Sequence, residues 1–136
     1  VIGDVRAARL LFHIPVPFVL FDTGTYLRCP MDESADRVAP YGKLGAYLHD
    51  YRHTNPYFMD ARKGFFDLGD IAALVDPSIA DWDITACPEV GWDLEYRFTG
   101  KMGSILRCYH INRDKAFNLL YERLELYFGC NMQNHM

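Results

Sequence analysis

Along residues 4–13, DVRAARLLFH, apolar side chains recur at helical spacing behind an acidic residue placed to cap, and along residues 15–22, PVPFVLFD, they run with little interruption. The first pattern predicts a helix and the second a short buried strand. Turn residues crowd residues 23–40, TGTYLRCPMDESADRVAP, which read as a long loop with a short helix from Asp32. Residues 41–53, YGKLGAYLHDYRH, read as a helix that Thr54, Asn55 and Pro56 bring to an end. A further apolar helix is expected after Asp67. DWDITACPEV at 81–90, WDLEYRFTG at 92–100 and SILRCYHI at 104–111 read as strands, and NRDKAFNLLYERLELYF at 112–128 as an amphipathic helix capped by Asn112. Residues 1–129 are thus expected to belong to one domain, with 130–136 a loose tail. Helices alternating with short strands predict an α/β fold, in which ligands gather at the carboxyl ends of the strands.

Composition supports this picture and narrows the partners. The 136 residues are 50% hydrophobic and 24% charged, ordinary for one globular domain, and nine Phe, nine Tyr and two Trp supply large apolar area for a core. Fourteen Lys and Arg against eighteen Asp and Glu leave a net charge of −4, with no basic stripe along any expected element, so no nucleic-acid partner is expected. Small neutral or polar ligands fit better. Runs such as FVLF are far too short to cross a bilayer, so no membrane partner is expected either. Cys29, Cys87, Cys108 and Cys130 lie far apart without a C-x-x-C pair, which speaks against a zinc ribbon or a dense disulfide scaffold and for free, mostly buried thiols.

Three short motifs could carry chemistry. VLFDTGTYL at 19–27 resembles the catalytic turn of aspartic proteases, where two aspartates share one proton. A single Asp22-Thr23-Gly24 would need a dimer, and the closing helix is foreign to that all-β family; a turn after a strand is the stronger reading. HDYRH places His49 and His53 on one helical face, near the H-E-x-x-H zinc pattern, but Asp50 stands where the glutamate base belongs and no third ligand follows, so a solvated pair is expected. The remaining histidines, His13, His110 and His135, stand alone. Asp67 and Asp70 form D-x-x-D ahead of IAALV, which by itself is a helix cap with a second acid in the first turn.

The wider segment changes the weight of Asp67. FFDLGDIAALVDPSI at 65–79 resembles the stretch of inosine-uridine-preferring nucleoside hydrolases in which an aspartate, followed by an apolar helix and an Asp-Pro-Ser turn, binds the active-site calcium. DVRAARLLF resembles the helix after that family's substrate-binding Glu-Phe-Asn segment, VPFVLFD its next core strand, and DKAFNLLYERL its closing helix. The matches run in order from about Asp4 to Leu124.

The resemblance implies the rear part of an open, mostly parallel doubly wound sheet, cleavage of the N-glycosidic bond of a ribonucleoside, a bound Ca2+ ion, and a homo-oligomer for the complete protein. It implies Asp67 as a metal ligand and Phe66 as a substrate-binding residue. Many members carry at the Phe66 position a histidine that protonates the leaving base, and a purine-preferring branch carries an aromatic residue that stacks on it; phenylalanine can stack but cannot donate a proton. The family's Asp-x-Asp-x-x-x-Asp-Asp motif, which supplies most calcium ligands and the base, does not occur in this sequence. The chain is therefore expected to lack an N-terminal half, to be inactive alone and, with sheet edges exposed, to self-associate. A non-catalytic nucleoside- or sugar-binding domain of the same fold is the alternative.

Overall fold

Asn112 closes the first turn of the longest described helix: its Oδ1 accepts a hydrogen bond from the Lys115 amide at 3.0 Å. The computed structural model describes residues 4–22, 24, 26–54 and 62–129; the side chains of residues 52–54, 62 and 63 lie outside that description, as does the expected tail at 130–136. Helices and short strands are mixed along the chain, compatible with an α/β organisation, and the strands pair in both parallel and antiparallel fashion. The chain divides into two compact units, residues 1–22 with 81–110, and residues 23–80 with 111–136. Each unit is assembled from two separate stretches, so composition along the chain gives no sign of the division.

In the first unit, helix α1 (Val5–Leu11) starts where the Asp4 carboxylate accepts the Ala7 amide at 2.9 Å, and Arg9 in its last turn complements the helix dipole. Strand β1 (Val19–Phe21) runs parallel to β7 (Ser104–Ile111) in the register Val19 with Leu106 and Phe21 with Cys108. The Asp22 amide extends that pairing to the Cys108 carbonyl at 2.9 Å. Strand β4 (Ala80–Ala86) borders β7 on its other side. There Asp83 meets Arg107 and Asp81 meets His110, partners that run in opposite senses along the two strands, as in an antiparallel pair.

Three expectations change in this unit. DWDITACPEV is interrupted at Cys87-Pro88, so that β4 ends at Ala86 and Glu89–Val90 forms a separate strand in another sheet, because proline lacks the amide a continuing ladder needs. PVPFVLFD does not form a buried strand: only Val19–Phe21 is extended, none of the three is buried, and Val19 is 40% exposed. The reason is position, since among the described residues β1 is the edge of the three-stranded sheet, with β7 as its one neighbour. WDLEYRFTG is not one strand. Its first half is a turn, and only Tyr96–Arg97 (β6) pairs, antiparallel, with Glu89–Val90 (β5).

In the second unit, TGTYLRCP contributes a strand where a loop is expected: β2 (Arg28–Pro30) pairs antiparallel with β3 (Arg62–Gly64). The partner is far along the chain and both segments are short and polar, so no local pattern marks them. Helix α2 (Met31–Arg37) follows β2 directly, then α3 (Gly42–Thr54), α4 (Leu68–Val75), one 3₁₀ turn at Pro77–Ile79, and α5 (Arg113–Phe128). Phe117 of α5 is fully buried, with Phe65 edge-on at 5.6 Å and Tyr121 at 5.9 Å between ring centroids. Burying one side chain of this size is worth about 1.5–3 kcal/mol.

A polar lock ties α2 to α5. Glu33 accepts hydrogen bonds from Arg113 and from the Tyr121 hydroxyl, the latter at 2.7 Å, while the Arg113 guanidinium lies 4.1 Å from the Phe117 ring centre and also donates to the Arg28 carbonyl. Burial pushes the Glu33 carboxyl upward, but the bonds from Arg113 and Tyr121 outweigh it and hold its pKa below the usual value. Cys29, Cys87 and Cys108 are buried thiols, as expected; Cys130 lies outside the described residues.

Candidate functional site at the start of helix α4

Phe65 and Phe66 separate at the entry to α4. Phe65 turns inward onto Phe117, its amide bonded to the Leu27 carbonyl at 2.8 Å, whereas Phe66 is 50% exposed. Two glycines shape the surroundings of Phe66. At Gly64 the absent side chain leaves the space its ring occupies, since a Cβ there would stand 2.1 Å from ring Cε1. At Gly24 a φ of +109°, a conformation that favours glycine, lets the backbone approach until a Cβ would lie 3.1 Å from the Phe66 carbonyl oxygen.

Asp67 follows on the exposed surface. It stands at the N-cap position with φ −79° and ψ −9°, helical rather than extended, and its carboxylate accepts no hydrogen bond from the first-turn amides. The geometry explains why: an N-cap side chain reaches the N2 or N3 amide from an extended backbone. Asp70, one turn further on, is partly buried, and burial together with the neighbouring Asp67 charge raises its pKa. At the far end of α4, Asp76 caps the 3₁₀ turn through the Ser78 amide at 3.0 Å, and hydrogen bonding from the Ser78 hydroxyl first, then from this amide, keeps its own pKa low. The start of α4 therefore presents a half-exposed aromatic face beside a carboxylate that the helix does not use.

The other candidates are placed differently. Asp22 is exposed at the end of β1, with Arg107 at 3.8 Å, so its nearest charged partner is a guanidinium rather than a second carboxylate. Thr23 and Thr25 lie outside the described residues. His49 is not solvated: it is half-buried, with Nδ1 3.1 Å from the fully buried Ser34 Oγ, because α3 packs against α2. The His53 side chain lies outside the described residues. His110 pairs with Asp81 at 3.0 Å. Among the described residues no three His, Cys, Asp or Glu side chains converge to hold a metal ion, and no helix is long and apolar enough to cross a membrane.

Sequence reasoning singles out Phe66 and Asp67 but gives Gly24 and Gly64 no part beside them; the signal for them is that Gly24 belongs to the Asp22-Thr23-Gly24 motif and Gly64 directly precedes FFDLGD. The chain matches no protein-family model, no curated protein and no solved structure.

Proposed function

We propose that this chain is the rear part of a nucleoside hydrolase-type domain, with β1 and β7 belonging to its open doubly wound sheet, in which Asp67 supplies one oxygen donor to a calcium ion and Phe66 offers a ring face to the nucleobase. The observation that supports this most is the exposed Asp67 carboxylate, which bonds none of the helix amides and stands directly after a half-exposed Phe66. A carboxylate kept at a helix start without capping it is available to a ligand.

Calcium takes about six to eight oxygens, and the described residues bring no cluster of three donors together. They do not fit a calcium ion by themselves. On this reading the remaining ligands, and the base that activates water, come from the N-terminal half that the resemblance implies. What this chain contributes is orientation: a stacked base beside Phe66 and one anionic oxygen at Asp67. Phe66 cannot protonate the leaving base, so that proton must come from elsewhere.

The test is made on the complete protein. Ribonucleoside cleavage and calcium affinity are measured for the parent and for Asp67→Asn; a strong loss of both in the variant is expected, and unchanged calcium affinity would overturn the role of Asp67. Phe66 also favours a second reading, a non-catalytic nucleoside-binding domain of the same fold. Binding without turnover in the parent would select that reading.

A further inference from the structure

A cleft of about 490 Å³ opens in the first unit, where the end of α1 meets the turn between β5 and β6 and the segment that follows. That volume lies within the roughly 300–1,000 Å³ range of small-molecule sites. Its lining includes Arg9 from α1, Trp92 from the turn, Arg97 from β6, and Lys101 beyond it. None of the residues of the proposed hydrolase site takes part, so the cleft stands independently of that reading.

The charge of the lining is the first unusual feature. In a chain with net charge −4, three permanent cations converge here. The carboxylate in the lining, Glu89, is already engaged, accepting the Thr99 hydroxyl at 2.6 Å; Asp93 beside the cleft pairs with one guanidinium nitrogen of Arg97, which compensates that cation in part and leaves Arg9 and Lys101 as the main source of positive charge. Lys101 is exposed, and its ammonium meets no carboxylate among the described residues. Arg9 donates one N–H to the Val90 carbonyl, which anchors its guanidinium and leaves the rest of the planar fork for a ligand.

The second feature is the ring. Trp92 is 67% exposed, and the Arg9 guanidinium lies 4.5 Å from its ring centre. A large apolar side chain stacked with one cation and neighbouring two more offers a planar platform beside an anion site. The turn that carries it is held in an uncommon conformation: Leu94 has φ 70°, with its amide on the Gly91 carbonyl at 3.1 Å and the Gly91 amide on Glu95 at 2.9 Å. Such a conformation in a bulky residue costs free energy and is kept where surrounding structure enforces it. Its effect is to fix the turn that carries Trp92 directly ahead of the strand that carries Arg97.

From these features we propose that the cleft binds a phosphate monoester carried on a planar ring, the chemical class of nucleoside monophosphates. Arg9, Arg97 and Lys101 receive the phosphate, with guanidinium forks matched to its oxygens, and the exposed Trp92 ring stacks on the base. The confined volume suits one nucleotide rather than a strand, and the basic stripe that a nucleic-acid chain would follow is lacking from the sequence.

The experiment uses the full chain and adenosine monophosphate as probe, with binding read by calorimetry and by tryptophan emission. Trp82, the other tryptophan, packs edge-on against Phe21 at 5.9 Å, so quenching that disappears in Trp92→Phe reports the cleft. Saturable binding of the monophosphate is expected, with adenosine about tenfold weaker or more and inorganic phosphate competing. Arg97→Gln and Lys101→Ala should each weaken binding about tenfold, the scale of one charge-assisted hydrogen bond. Circular dichroism checks that the variants fold, and Lys101→Ala, at an exposed side chain, keeps the test decisive if Arg97→Gln does not. The proposal is overturned by absence of saturable binding at millimolar ligand, by Lys101→Ala binding like the parent, or by an oligonucleotide binding more tightly than the monophosphate. Loss of binding in Phe66→Ala with no change in Lys101→Ala would move the ligand to the start of α4 and equally overturn it.

Discussion

The ring of Phe66 fills the space that a side chain on Gly64 would need, with ring Cε1 only 2.1 Å from where a Cβ would stand. Gly64→Ala must therefore turn the ring away. Because Phe66 is already half-exposed and residue 64 is extended strand, the ring has solvent to move into, and stability should fall by no more than about 1 kcal/mol. Urea unfolding measures that cost. If Phe66 stacks on a base, nucleoside affinity of the complete protein should drop in the same variant, which separates loss of ligand from loss of fold.

Asp67→Ala is expected to leave stability within about 0.5 kcal/mol of the parent, since no capping hydrogen bond is lost. It should also lower the pKa of Asp70, because one of the two causes raising it, the Asp67 charge, is gone. Carbon-detected NMR titration of the Asp70 carboxyl checks the direction. A loss of stability typical of a cap would mean that the carboxylate serves the helix after all.

Asn112→Ala provides the contrast. Here the side chain does accept the Lys115 amide, so truncation should cost about 1 kcal/mol, while Asn112→Asp should be nearly neutral. Thermal or urea melts of the three proteins side by side test this.

The Glu33 lock makes stability depend on pH at both ends. Its folded-state pKa is depressed, so its contribution is present above the unfolded value of about 4.3 and is lost as pH falls through the lower folded value. Tyr121 shifts the other way: burial, and then its bond to Glu33, raise its pKa, so its contribution is present below about pH 10 and lost as pH rises. Tyr121→Phe should cost about 1.5 kcal/mol at neutral pH, as expected for a hydrogen bond to a charged partner, and should flatten the alkaline limb. Unfolding midpoints measured across the pH range show whether both limbs respond as stated.

What could be read from the sequence depended on how local its cause was. Helix α5 and its cap, strand β7, and α1 behind Asp4 follow from spacing and one capping residue, and they form as expected. WDLEYRFTG misleads because Trp92, Leu94, Tyr96 and Phe98 alternate like a strand, yet Leu94 turns the chain at positive φ and leaves Trp92 and Phe98 outside. The pairing of β2 with β3 joins segments with no shared local pattern. At the start of α4 the sequence marks Asp67 but not its helical backbone angles, and these decide whether it caps. The cationic cleft draws on three separated segments, so no stretch of sequence carries its outline.

The register of β1 on β7 sets an order of events for a chain made from its N-terminus. Val19 waits for Leu106, roughly 90 residues later, and at a synthesis rate of about 5–20 residues per second that delay is on the order of 5–20 seconds. Throughout it the apolar stretch PVPFVLF has left the ribosome without its sheet partner. The half-exposed edge that β1 keeps in the folded chain is thus a far larger liability before folding, when both of its backbone sides are open to another nascent chain. A holding chaperone that binds short extended apolar segments would find its substrate there, and would release it when β7 emerges.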